Sequence, residues 1–207
     1  AYVDAVIADI ARAVEKGMPV ADTVFFGGGT PTRLAPELLA SIVKAIPVAP
    51  NAEITIECNP DDVTVEMMKI YAAAGVNRIS MGVQSMVEHV LQSLNRTHDP
   101  ANVVKAIAAA REGGITSINL DLIYGVHGES VDDWRTTVEQ TIALQPTHIS
   151  AYGLTVEAGT PLAEDPSRHP DDDDQADKYV LADDLFSAAG LMNYEISNWA
   201  LAGHECR

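Results

Sequence analysis

The run Gly27-Gly28-Gly29-Thr30-Pro31-Thr32 follows directly on the apolar residues Thr23-Val24-Phe25-Phe26. Glycines lack Cβ atoms, so a ligand can approach the main chain and meet bare N–H and C=O groups; a helix pattern starting near Ala35 adds its positive end. An ordinary tight turn also accounts for the glycines taken alone. Further polar residues stand at or near the ends of other apolar runs. Glu57 ends Ile54-Thr55-Ile56-Glu57, Gln84 follows Ser80-Met81-Gly82-Val83, and Asp121 lies within Asn119-Leu120-Asp121-Leu122-Ile123-Tyr124. Arg96, after Leu94-Asn95, is the fixed cation among these candidates. Each has a structural alternative: Glu57 as a cap, Asp121 as a tie for a loop, Gln84 as a partner for stray backbone groups, Arg96 as a solvated surface residue. A carboxylate inside an apolar strand is costly unless it is hydrogen-bonded, which singles out Asp121. Together, two carboxylates, an amide, a guanidinium and a glycine wall suit a zwitterionic, ribose-bearing ligand.

The elements that must position these residues alternate along the chain. Apolar, β-branched runs at Thr23–Phe26, Glu53–Cys58, Arg78–Val83, Ser117–Tyr124 and His148–Thr155 predict strands buried on both faces. Helical patterns at Tyr2–Glu15, Ala35–Ile46, Val65–Ala74, Val87–Leu94, Ala101–Glu112, Val131–Leu144 and Asp174–Ala189 separate and flank them. Gly75 and Gly113-Gly114 stand where helices should stop, and Asp99-Pro100 and Ser130 where they should start. Asn193–Trp199 reads as one further strand. Such a βα repeat implies an α/β fold with a parallel sheet and right-handed crossovers. In such folds ligands gather at the carboxyl ends of the strands, where the candidates above lie. A closed eight-unit barrel takes roughly 250 residues. At 207 residues, opening on a helix pattern without its strand, the chain is expected to be a fragment: a partial (β/α) barrel whose first strand precedes Ala1.

Thirty acidic against 13 basic residues give a formal charge of −17, and Lys and Arg form no stripe, so nucleic acid and anionic membrane surfaces are poor partners. Adjacent carboxylates in Asp171-Asp172-Asp173-Asp174 point in different directions, which suits a solvated helix start better than a cation site. No apolar stretch reaches the roughly 20 residues needed to cross a bilayer. A cytoplasmic protein is the simplest expectation. Cys58 and Cys206 are the only cysteines, too few for a disulfide framework.

Phe25–Thr32, Ile54–Glu57, Ser80-Met81-Gly82-Val83-Gln84-Ser85, Asn95-Arg96 and Asp121-Leu122-Ile123-Tyr124-Gly125 occur in the order that characterises a known family. In these residues the chain resembles the radical S-adenosylmethionine proteins related to oxygen-independent coproporphyrinogen III oxidase. Ile149-Ser150-Ala151-Tyr152, Thr160-Pro161-Leu162, Tyr194-Glu195-Ile196-Ser197-Asn198-Trp199 and Gly203-His204-Glu205-Cys206-Arg207 resemble its heme chaperone branch. The resemblance implies a partial barrel, residues 1–207, with those after about 160 leading towards a C-terminal domain. It implies a core that holds S-adenosylmethionine against a 4Fe-4S cluster, whose electron would cleave the sulfonium to a 5′-deoxyadenosyl radical. It also implies binding roles. Gly27, Gly28, Gly29 and Thr30 would receive the methionine ammonium, Arg96 the methionine carboxylate, Gln84 and Asp121 the ribose hydroxyls, Glu57 the polar end of the ligand, and Thr155 would offer backbone to the adenine.

In this branch the implied function is to bind heme and deliver it to a heme-accepting protein, with membrane contact only through that recipient. The alternative is the oxidase itself, a radical decarboxylase of coproporphyrinogen III, so enzymatic activity stays open. A cluster-free barrel enzyme for a phosphorylated metabolite is a third reading. It lacks a basic residue at the glycines and leaves Arg96 and Asp121 unexplained. His204 could be read as a heme ligand, since heme iron commonly takes histidine. His98, His127 and His148 suit hydrogen-bonding or solvent-exposed roles better than metal.

The family binds its cluster through a C-x3-C-x2-C loop, three thiolates that leave one iron for the cofactor, and this sequence has no such triplet. Cys58 reads as a small buried apolar residue, and Cys206 cannot replace a three-cysteine loop. The missing loop is expected upstream of Ala1. The 207-residue chain should therefore retain no stable 4Fe-4S cluster after anaerobic reconstitution. Iron analysis with absorption spectroscopy checks this, and a stoichiometric cluster within the monomer would contradict it.

Overall fold

The computed structural model describes residues 1–96 and 98–207. By packing, the chain divides into two compact units. The first comprises Ala1–Met81, Lys105–Ile118 and Arg207, the second Gly82–Val104 and Asn119–Cys206.

In the first unit, strands β1 (Ala21–Phe26), β2 (Val48–Cys58) and the start of β3 (Arg78–Gln84) run parallel in that order. Helix α1 (Tyr2–Glu15) packs on α2 (Pro36–Ala45), and α2 on α3 (Val65–Ala74). Ile56, Met68, Tyr71, Ile79 and Met81 are fully buried and form this unit's core. The predicted Val65–Ala74 helix has the expected bounds because its ends are chemically marked. Thr64 accepts the Met67 N–H at 3.2 Å, and Gly75 closes the helix at φ 105°. Two expectations for the strands need correction. β2 begins at Val48 rather than Glu53, and β1 is not buried on both faces, since Phe25 is 57% exposed.

The second unit holds α4 (Glu88–Ser93), β4 (Ser117–Tyr124) from Asn119, α6 (Val131–Ala143), β5 (His148–Gly153) and α7 (Asp172–Ala188). Helix α5 (Pro100–Glu112) starts here and passes into the first unit at Lys105. β4 and β5 are parallel, as the βα pattern requires. The further strand expected over Asn193–Trp199 is instead a hairpin, β6 (Met192–Glu195) and β7 (Asn198–Ala200). Its strands are antiparallel, with β7 also antiparallel to β5, so the sheet is mixed here and runs β4-β5-β7-β6. The cause is local. Glu195 turns back on the chain, its Oε2 accepting from Ser197 N–H at 3.3 Å and Asn198 Nδ2 at 2.6 Å. β5 likewise stops at Gly153, short of the expected Thr155.

Helix α6 is started by a capping box: Ser130 Oγ accepts the Asp133 N–H at 3.1 Å, and Asp133 Oδ2 accepts the Ser130 N–H at 2.9 Å. Asp171 caps α7, accepting from Asp174 N–H at 2.9 Å, so the acidic run does occupy a helix start. Trp199 is buried against Phe186 and Tyr179, with its indole N–H on Asp183 at 2.8 Å.

α6 and α7 meet over a buried cation. Lys178 is fully buried, and its Nζ donates to the Glu129 carbonyl at 2.8 Å and to Asp174 Oδ2 at 2.7 Å, with Glu129 Oε2 at 3.2 Å. The Lys178 carbonyl in turn accepts the Trp134 indole N–H at 2.8 Å. Burial pushes the Glu129 carboxyl above its ordinary range, while Lys178 and the N–H groups of Gly125 and Val126 pull it down. Removing one member of a buried pair strands the other charge, at a cost of about 3–5 kcal/mol. Lys178→Met should thus lower the unfolding free energy by about that amount in urea titrations. A loss under about 1 kcal/mol would show that the pair contributes little.

Candidate functional site

The sequence candidates fall into two groups, one in each unit. Gly27, Gly28, Gly29, Thr30 and Glu57 belong to the first; Gln84, Arg96, Asp121 and Thr155 belong to the second.

In the first unit the glycine run leaves the carboxyl end of β1 and is exposed. Gly28 and Gly29 have φ of 75° and 59°, left-handed values that a side chain resists. Gly27 is needed for a different reason: a Cβ there would lie 2.5 Å from the Phe25 ring and 3.1 Å from Glu57 Oε2. Glu57, half-buried at the end of the neighbouring strand, accepts the Gly28 N–H at 3.0 Å. This hydrogen bond directly joins two of the predicted site residues. It makes Glu57 the anchor of the glycine loop, whichever ligand that loop receives. A cavity of about 360 Å³ lies against Gly27, Gly28 and Thr30 and is walled by Tyr2, Val6, Phe26 and Leu34. A polar backbone rim beside apolar walls suits a ligand with a charged end and an apolar body.

In the second unit Gln84 is buried at the end of β3 with φ 65°. The Ser85 N–H bonds back to the Val83 carbonyl at 2.8 Å, so Gln84 sits at the centre of a strained γ-turn. A left-handed non-glycine residue costs about 1–3 kcal/mol and persists only where its surroundings impose it. They do so here. The His98 ring bonds the Val83 carbonyl at 3.0 Å, Ser85 Oγ lies 3.0 Å from Thr137 Oγ1, and Thr137 Oγ1 accepts the Met86 N–H at 3.2 Å. Gly82 has no Cβ because one would stand 2.9 Å from the Gln84 amide.

Arg96 is exposed, and its place is set by the end of α4. Asn95 takes φ 55°, and the Arg96 N–H reaches the Leu91 carbonyl at 2.9 Å, a Schellman closure with Asn in place of Gly. Arg96 lines a cavity of about 450 Å³ together with Glu88, Gln92, His98 and Asp99. Asp121 is half-buried on β4, and its Oδ1 accepts from Asn119 Nδ2 at 2.7 Å, the bonded state that a carboxylate in an apolar strand requires. Thr155 is exposed just beyond β5, its hydroxyl on the Gly153 carbonyl at 3.3 Å. Next to it, the Leu154 carbonyl accepts from Gln175 Nε2 at 2.9 Å, and the Leu154 N–H donates to the Tyr124 carbonyl at 2.8 Å.

The sequence reasoning missed Glu129, which follows the glycines 125 and 128 and accepts the Gly125 N–H at 2.8 Å. An acid placed just after a glycine-bearing strand end, as Glu129 is, was the available signal. It also missed Lys178, although the spacing Asp174–Lys178 is that of an i,i+4 ion pair on a helix.

The residues of this chain do not fit an iron–sulfur cluster. Burial, reinforced by Asp62 and Glu57, pushes the Cys58 thiol up to about 12, and its S–H points to the Ile56 carbonyl at 3.6 Å. A cluster ligand must be a thiolate, which this environment opposes. Cys206 is exposed, and among the described residues no group of three or more His, Cys, Asp or Glu could hold a metal ion. The glycine loop, with its bare backbone beside an apolar cavity, does fit a zwitterionic cofactor.

The family model for the radical SAM superfamily matches residues 2–141. Over 203 residues the chain is 42% identical to the heme chaperone HemW of Mycobacterium tuberculosis, covering 94% of this chain and 52% of that protein. It is 40% identical over 189 residues to the HemW of Escherichia coli, covering 89% and 50%. Among solved structures it resembles coproporphyrinogen III oxidase (HemN) from Escherichia coli, a radical SAM enzyme, with a TM-score of 0.87 and 26% identity over 98% of this chain and 48% of that one. The chain thus spans about half the length of the relatives it matches. The fold class is α/β, the partial barrel expected from the βα pattern.

The two cysteines should differ in reactivity. With its thiol held near 12, Cys58 is almost wholly protonated at pH 8, so iodoacetamide should label about one cysteine, Cys206, in the native chain and about two after denaturation. Mass spectrometry reads this directly; rapid native labelling of Cys58 at pH 8 would overturn the assignment.

Proposed function

The chain belongs to the radical SAM superfamily, and we propose that it is the core of a heme chaperone that binds S-adenosylmethionine in a supporting role. In this reading the backbone of Gly27, Gly28, Gly29 and Thr30 meets the methionine ammonium, and Glu57 keeps that loop in place for the polar end of the ligand. Arg96 takes the methionine carboxylate, Gln84 and Asp121 the ribose hydroxyls, and the backbone at Thr155 the adenine. The cofactor, when bound, supplies an activated sulfonium. This chain's residues supply orientation: a bonded carboxylate at Asp121 and a strained, buried amide at Gln84 lose little freedom when they engage a ligand. Residues after about 160 are taken to lead towards a further domain. Delivery goes to a heme-accepting protein in the cytoplasm, with any membrane contact made through that recipient.

The observation that favours carriage over radical decarboxylation is how the cations beyond Thr155 are used. They are Arg168, Lys178 and Arg207. Lys178 is buried on Glu129 and Asp174, Arg168 donates to the Ser93 carbonyl at 2.9 Å, and Arg207 donates to the Asn51 carbonyl at 3.0 Å. A decarboxylase must clamp a substrate with several carboxylates beside the reacting carbon, and this half of the protein commits its later cations to its own backbone. The higher identity to the heme chaperones than to the oxidase supports the same choice. With its native flanking sequence, the protein should bind heme and pass it to a heme-requiring acceptor, without converting coproporphyrinogen III to protoporphyrinogen IX. An anaerobic assay with reductant and S-adenosylmethionine, run beside a heme-transfer assay, separates the two; robust decarboxylation without heme binding would restore the oxidase.

A further inference from the structure

One face of the second unit carries a directed chain of hydrogen bonds that begins at Asp121. Asn119 and Asp121 are two apart on β4 and share that face, and Asn119 is the register partner of His148 on β5. Asn119 Nδ2 donates to Asp121 Oδ1 at 2.7 Å. Its Oδ1 is thereby turned to His148 Nδ1 at 2.6 Å and to the Ser150 hydroxyl at 3.2 Å. His148 Nε2 lies 2.7 Å from the Tyr194 hydroxyl, with the two rings edge to face at 5.6 Å. The Tyr194 oxygen accepts the Cys206 N–H at 3.1 Å. Asn119 and His148 are 2% and 1% exposed, so water is kept from the link between them, while Tyr194 carries the chain out to the surface at 39% exposure.

The directions of the links are not independent. An ionised carboxylate only accepts, so Asn119 must present its NH₂ to Asp121 and its oxygen to His148. His148 then carries its proton on Nδ1 and accepts at Nε2, Tyr194 donates to it, and the Tyr194 oxygen is left to accept from Cys206. Every bond polarises the next in the same sense, which strengthens the series.

We propose that Asn119, His148 and Tyr194 are positioning residues that couple the Asp121 carboxylate to the Gly203–Cys206 segment. A ribosyl ligand at Asp121 and the placement of that segment then favour each other. This rests on the reading of Asp121 as a ribose-binding carboxylate. A ribose hydroxyl on Asp121 fixes its rotamer and therefore the chain behind it; by reciprocity, loosening the chain weakens the ligand. The segment so controlled lies in the part of the sequence that resembles the heme chaperone branch.

The test uses the protein with its native flanking sequence. Imidazole ¹⁵N spectra should show the Nδ1–H tautomer at His148. Amide exchange at Cys206 should accelerate several-fold in Tyr194→Phe, which removes the acceptor, and also in Asp121→Asn and Asp121→Ala, which do not touch it; circular dichroism confirms that the variants fold. S-adenosylmethionine should slow that exchange in the wild type, and Tyr194→Phe should weaken its binding about three- to tenfold in calorimetry. An Nε2–H tautomer, or unchanged Cys206 exchange in both Asp121 variants, would overturn the coupling. Coupling without any S-adenosylmethionine binding by the wild type would remove the cofactor reading alone.

Discussion

Loop amides that no strand or helix satisfies need an acceptor, and in both units a single carboxylate provides it. Glu57 takes the Gly28 N–H at 3.0 Å, and Glu129 takes the Gly125 N–H at 2.8 Å. The glycines allow the backbone to turn at positive φ immediately after a strand, while the carboxylates determine where that backbone stops. Neither loop would be a defined surface without its acid. Glu129 is buried and must itself be stabilised, which Lys178 does, so the loop after β4 is tied through one ion pair to α7. Glu57 is half-buried and makes no ion pair among the described residues; the glycine loop it holds is exposed. The difference suits their positions, one loop locked into packing and the other left open beside a cavity.

Strain in the second unit follows the same logic. Gln84 occupies a left-handed γ-turn imposed by a set of partners, and those partners, Ser85, Thr137 and His98, come from the residue after β3, from α6 and from the segment before α5. The turn bends the backbone at the last residue of an otherwise regular strand. Relaxing it to a β conformation would return Gln84 to the pleat. A buried amide in a costly backbone state persists here because these neighbours impose it.

Much of this was legible in the sequence where a residue's role is local. Gly75 and Ser130 mark helix ends by chemistry that needs only their own neighbours, and Ser117–Tyr124 has the predicted bounds as a strand, whereas the last helix starts at Asp172 rather than the expected Asp174. The glycine loop and the polar strand ends were found for the same reason. What was lost depends on register or on distant partners. The 193–199 segment reads as one apolar-polar run, but a back-turned Glu195 side chain splits it into a hairpin. Phe25 looks like a core residue by composition and is exposed because its strand has a partner on one side within its unit. That Asn119 faces His148, or that Lys178 meets Glu129, follows from strand register and helix docking, which no window of sequence contains.

The acidity of the chain gains a structural meaning from these contacts. With 30 acidic and 13 basic residues, an anionic ligand meets repulsion over most of the surface. The later cations are spent on backbone carbonyls and on the Glu129–Asp174 pair. Arg96 is the fixed cation among the site candidates: it is exposed, set by a helix closure and borders a cavity of mixed polar and apolar lining. A single guanidinium facing one carboxylate can fix a zwitterion such as an amino acid headgroup, since the partner ammonium is welcome in an acidic field. It is a poor match for a substrate with several carboxylates. An acidic chain with one exposed guanidinium among its candidate residues is thus a better electrostatic match for a zwitterion than for a polyanion.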